Sequence, residues 1–119
     1  MTHARTDYNI ILNDGTELWV NQSPASPRNR PQITEIIPNE SLVRKTRETL
    51  KELKVVTPLD LFKATQGDLD RLFLYAGGGT LDRSPQFRRG EIVSLVYINS
   101  VNGKRAVLTT VSIVSVVRA

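Results

Sequence analysis

Two short glycine turns, each set between runs of strand-forming residues, constrain this 119-residue chain more than any other feature. YNIILNDGTELWVNQ (Tyr8–Gln22) places Asp14-Gly15 between apolar arms. EIVSLVYINSVNGKRAVLTTVSIVSVV (Glu91–Val117) does the same with Asn102-Gly103. Asp-Gly and Asn-Gly are the favoured pairs of the type I′ turn, whose two central residues both need φ > 0. A two-residue turn fixes register. It puts Ile10 opposite Trp19 and Ile11 opposite Leu18 in the first hairpin. In the second it puts Ile98 opposite Val107 and Leu95 opposite Thr110. The arm from Ile92 to Ile98 is apolar on both parities, so both of its faces should be covered. The far arm ends in Val111–Val117, again apolar on both parities. This end either pairs with the N-terminal hairpin or forms an edge open to another chain.

The segment between the hairpins reads as loop and helix. SPASPRNRP, residues 23–31, is an exposed proline-rich loop. Residues 32–37 form a short strand that Pro38 ends. Asn39 is the N-cap of a helix over 40–54, with Leu42, Val43, Thr46, Leu50 and Leu53 near one face. Thr57-Pro58-Leu59-Asp60 and Thr65-Gln66-Gly67-Asp68 have the order of capping boxes, which predicts helices over 58–64 and 66–76. The second would bury Leu69, Leu72, Phe73 and Ala76. The expected fold is a single α+β domain over residues 1–119. It has an antiparallel four- to five-stranded sheet or partly open barrel, made of the 7–22 and 91–117 hairpins. Three helices sit in the 40–76 segment between them.

Gly77-Gly78-Gly79 asks whether the chain cradles a phosphate. A phosphate loop follows a strand and opens a helix, so that helix N-terminal amides meet the anion. Here the triplet follows an expected helix and lacks the lysine and hydroxyl of such a loop. It reads as a C-cap leading into a flexible basic loop over 77–90.

Residues 87–117, beginning FRRGEIV, resemble the opening hairpin of small SH3-like and PUA-like barrels, where RRGEIV leads into the first core strand. The resemblance covers only that hairpin and brings no diagnostic site. It implies a small barrel, a form that often touches RNA and also serves many other functions.

The residues for catalysis are thin. The chain has no cysteine and one histidine, His3, close to its N-terminus. That leaves no cysteine nucleophile, no credible histidine-centred triad and no histidine or thiolate metal site. Asp68 and Asp70, two apart at a helix start, point in different directions. Nothing selects Asp60, Asp68 or Asp82 for Mg²⁺. The reading is therefore not an enzyme, with no cofactor and no metal. The N-terminus lacks a signal-peptide core, and no apolar run reaches membrane-spanning length.

Charge points elsewhere. Net charge is +4, and arginines outnumber lysines eleven to five. The planar arginine fork suits phosphate and carboxylate. Three groups stand out: Arg28 and Arg30 in the proline loop, Arg44, Lys45, Arg47 and Lys51 on the first helix, and Arg83, Arg88 and Arg89 after the glycines. On the helix, Arg44 and Glu48 form an i,i+4 pair, so a merely solvated face is the plain alternative there. The loop group has only Asp82 and Glu91 close in sequence. The expectation is a small non-enzymatic binding protein that contacts nucleic acid or another polyanion through these residues. The alternative is an assembly module, a homo-oligomer subunit or part of a virus-like structure, pairing through the C-terminal strand. No membrane partner is expected.

Overall fold

A computed structural model describes residues 6–22, 31–52, 71–79, 83–99 and 103–118. The described elements are β1 (Thr6–Leu12), β2 (Glu17–Gln22), β3 (Gln32–Ile37), α1 (Glu40–Glu52), β4 (Leu72–Ala76), β5 (Ile92–Ile98) and β6 (Arg105–Arg118). Every neighbouring pair of strands is antiparallel, and the sheet closes into a barrel in the order β1-β2-β3-β4-β5-β6. This corrects the expected three-helix α+β fold. The protein is mostly β, with one helix among the described residues. The expected helix over 58–64 lies outside the described residues. The end of the expected 66–76 helix is strand β4, paired with β5 from Leu72 to Ala76. Leu69, Leu72, Phe73 and Ala76 have helical spacing, but LFLYA also suits a strand apolar on both sides. Tertiary pairing selects the strand, which buries Leu72, Leu74 and Tyr75. The FRRGEIV hairpin does belong to a barrel, but it supplies the last two strands rather than the first.

The hairpin registers differ from those expected. In the first, the Leu12 N–H donates to Thr16 O at 2.9 Å and the Gly15 N–H to Leu12 O at 2.9 Å. Asn13, Asp14 and Gly15 therefore form a three-residue loop whose last residue is left-handed, with φ +91°. A type I turn followed by a left-handed glycine is the usual three-residue hairpin connection. Ile10 consequently faces Leu18, and Tyr8 faces Val20. The core requires this slip. Ile10, Leu12, Leu18 and Val20 are all buried, and the two-residue turn would have put Ile10 and Leu18 on opposite faces. In the second hairpin the Asn99 N–H donates to Lys104 O at 2.8 Å, and Asn99 O accepts from the Gly103 N–H at 2.8 Å. Lys104 is thus paired with Asn99 rather than with Val101 as expected, and Asn102 of the expected turn lies outside the described residues. Ile98 faces Arg105, and after a bulge at Leu95/Val96 Leu95 faces Thr109.

β6 joins two half-sheets. Its first half, Arg105–Ser112, pairs with β5, and its second, Ile113–Arg118, pairs with β1. The Val111–Val117 end is therefore taken up mainly by the N-terminal hairpin of the same chain. Across the barrel, β3 meets β4 at one position, Gln32 opposite Phe73. A bulge at Ile11/Leu12, opposite Ile113–Ser115, adds local twist where β6 passes from one half-sheet to the other.

Helix α1 begins as expected: the Leu42 N–H donates to Asn39 Oδ1 at 2.7 Å, the N-cap bond. Asn39 Nδ2 also donates to Asp14 O, tying the helix start to the β1–β2 turn. Leu42, Thr46 and Leu50 recur every four residues and form the buried stripe. Leu42 and Leu50 join the barrel core as α1 packs against β6. No helix among the described residues is long and apolar enough to cross a membrane.

Candidate functional site

The glycine triplet is neither a helix cap nor a phosphate loop. It follows strand β4 and lies over the outer face of β5. The Gly77 N–H donates to Ile92 O at 2.8 Å. Gly77 O accepts from Ser94 Oγ at 2.7 Å, and Ser94 Oγ lies 2.7 Å from Thr110 Oγ1. With its own proton committed to Gly77, Ser94 accepts the proton of Thr110. A Cβ on Gly79 would stand 3.0 Å from Ser94 Cβ and 3.0 Å from Val96 Cγ2. Only glycine allows so close an approach. The cover over Val96, expected from the two-sided apolar pattern of β5, is thus made partly of backbone. An amide already bonded to β5 is not on offer to an anion.

Beyond the triplet, the basic loop is anchored at several points. Arg83 O accepts from the Ala76 N–H at 2.7 Å. Pro85 is buried. The Gln86 N–H donates to both carboxylate oxygens of Glu91, at 3.1 and 3.0 Å. Phe87 is buried, and its ring centroid lies 4.7 Å from that of Tyr8, tilted by 44°. Its backbone is left-handed, φ +51°, the only such non-glycine residue among those described. A bulky residue takes that conformation only where its surroundings hold it. Here the aromatic contact and the Glu91 bracket are available to do so. Arg88, Arg89, Gly90 and Glu91 then form a turn closed by the Glu91 N–H on Arg88 O at 3.2 Å. Gly90 has φ +86°, as the third position of a type II turn requires. The Gly90 N–H donates to Ile113 O at 2.8 Å, and Glu91 O accepts from the Ile113 N–H at 2.9 Å. Buried side chains fix the base of the turn while Arg88 and Arg89 point to solvent. Phe87→Ala is expected to cost about 3 kcal/mol and to speed amide exchange at Arg88 and Arg89. Arg88→Ala should stay within about 0.5 kcal/mol of wild type. Urea denaturation and exchange rates together check both.

Arg83, Arg88 and Arg89 are exposed, and no carboxylate among the described residues pairs with their side chains. Arg44, Lys45 and Lys51 are also exposed, along α1. Arg28 and Arg30 lie outside the described residues, as do His3, Asp60, Asp68, Asp70 and Asp82. β6 links the helix and the turn. The Asn13 N–H donates to Ser112 O at 2.9 Å, which places the β1–β2 turn and the tethered start of α1 on one side. Gly90 reaches the adjacent Ile113 from the other. Arg83 is held beside Ala76 at the end of β4 by its backbone. One cation escapes the sequence reading. Arg118 pairs in register with Tyr8, whose ring meets Phe87, so Arg118 joins the neighbourhood of the turn. Its only sequence signal is its charge. No cluster of three or more histidine, aspartate or glutamate side chains suited to a metal occurs among the described residues.

Compared with known proteins, the chain matches no family, no curated protein and no solved structure.

Proposed function

We propose that this chain is a small non-catalytic binding protein that takes a nucleic acid or another polyanion on the Arg88-Arg89 turn. Arg118 and the exposed bases of α1 would extend the surface. The carrying observation is the contrast within one short loop. Phe87 is buried on Tyr8 and Glu91 brackets Gln86, while the two arginines between them are exposed and unmatched by a described carboxylate. A stiff turn holds its guanidinium groups at little entropic cost on binding. Arginine forks suit phosphate oxygens.

The test is fluorescence anisotropy of a labelled duplex across a salt series. Each phosphate contact contributes close to one unit to the slope of log K against log salt, so Arg88→Ala with Arg89→Ala should flatten it by roughly two. The melting temperature should hardly move. Absence of binding by wild type at about 50 mM salt sinks the reading, because phosphate contacts are strongest at low salt. Equal slopes for both proteins move the site to Arg44, Lys45 and Lys51.

A further inference from the structure

The half-sheet of β1, β2 and β3, with the second half of β6, turns one face to the core and one away. Residues directly opposite in an antiparallel pair share a face. One row on the outer face runs Val117, Asn9, Trp19, Glu35. The next runs Ser115, Ile11, Glu17, Ile37. Val117 is 57% exposed and Ile37 48%; Trp19 and Ile11 are half-buried. Asn9 Nδ2 donates to Glu17 Oε1 at 2.8 Å, which orders the centre of the face. Asp7 continues the surface opposite Asn21, and both Asp7 and Glu35 are exposed. The face thus carries three carboxylates and no base in these rows, on a chain whose net charge is +4. A tryptophan amid aliphatic side chains, ringed by charge, has the make-up of an interface centre with a polar rim.

The complementary surface lies close by on the same molecule. Gly90 on Ile113 and Phe87 on Tyr8, the register partner of Arg118, set the Arg88-Arg89 turn beside the second half of β6. That half-strand supplies Ser115 and Val117 to the face. A basic turn next to an acidic, apolar face is self-complementary about a two-fold axis, since each copy then offers its turn to the other's face. We propose that the outer β1-β2-β3 face receives a second copy of this chain, with Trp19 at the centre and Arg88 and Arg89 of each copy against Asp7 and Glu35 of the other. The inference stands independently of the polyanion reading. Where both hold, a polyanion and the second copy compete for the same arginines.

Self-association is measured by sedimentation equilibrium over about 1–200 µM protein without nucleic acid, a range set to catch the weak end of protein–protein affinities. Trp19 is the only tryptophan in the chain, so its emission reports on the face directly. Wild type should double in mass with rising concentration while the emission shifts to the blue, and both changes should weaken at about 0.5 M salt. Two charge-reversed proteins complete the test. Asp7→Lys with Glu35→Lys makes face and turn both basic, and Arg88→Glu with Arg89→Glu makes both acidic. Each alone should remain monomeric, because like charges then meet at both contacts. Their equimolar mixture should form a heterodimer with blue-shifted emission, since one contact is then the wild-type pairing and the other is the same pairing with its signs exchanged. A mixture that associates also shows that both variants are folded. Wild type monomeric throughout, reversed proteins that still self-associate, or a mixture that stays monomeric each overturns the proposal. The first outcome, with wild-type emission shifting only on addition of an arginine-rich peptide, gives the face to a separate basic partner.

Discussion

Gly79→Ala is expected to destabilise the protein by about 2–5 kcal/mol, while Gly78→Ala, one residue away, changes it by less than about 0.5 kcal/mol. Two costs add at Gly79. Its φ of +75° lies in the left-handed region, where a Cβ costs roughly 1–2 kcal/mol. The new Cβ also meets Ser94 Cβ and Val96 Cγ2 at 3.0 Å, and overpacking of that kind costs roughly 1–3 kcal/mol. Both obstructing atoms belong to short side chains on the central part of β5, so neither swings aside. Gly78 has no atom within 4 Å of an added Cβ and no left-handed backbone. Urea midpoints for the two variants settle the matter. Equal costs would mean that the triplet serves only as a spacer.

Leu18→Ala should cost about 3 kcal/mol, and Trp19→Ala, at the larger neighbouring side chain, about 1 kcal/mol or less. Leu18 is fully buried opposite Ile10 and belongs to the core cluster, so its truncation leaves a cavity that the barrel cannot easily fill. Trp19 stands half-buried on the outer face opposite Asn9, where its loss is felt mainly in association. Strand parity is what the pair measures. If Trp19→Ala proved the costlier change, the three-residue Asn13-Asp14-Gly15 loop and the register it sets would be wrong.

That register shows where sequence reasoning reached and where it stopped. Asp14-Gly15 marks a hairpin in either geometry, and the dipeptide preference alone points to the two-residue turn. The even-numbered apolar set Ile10, Leu12, Leu18 and Val20 already contained the correction. Those four share a face only when the register pairs even residues with even ones. Missing that hid Trp19, which the two-residue turn sets beside Ile10. Helix α1 was legible because its signals are local: Asn39 as cap and Leu42, Thr46 and Leu50 as stripe. β4 was not, because LFLYA fits either period and β5, its partner, is remote in sequence. The exposure of Arg88 and Arg89 could be read from the aperiodic stretch around them. The rigidity of their turn could not, since it depends on Phe87 meeting Tyr8 from the far end of the chain. Arg118 was hidden for the same reason.

The division of β6 between two partners also bears on how the fold is reached. Its pairing with β5 joins residues as close in sequence as Ile98 and Arg105 and closes quickly, as hairpins do. Its pairing with β1 joins positions as far apart as Tyr8 and Arg118, and loop closure over such a separation makes these contacts late and slow. Until then Ile10 and Leu12 lack their β6 neighbours, and the two half-sheets are joined by the Gln32–Phe73 bridge and by α1 packed on β6. Closing β1 onto β6 is thus the step that completes the barrel, and its sequence separation makes it the costliest strand pairing in loop-closure entropy.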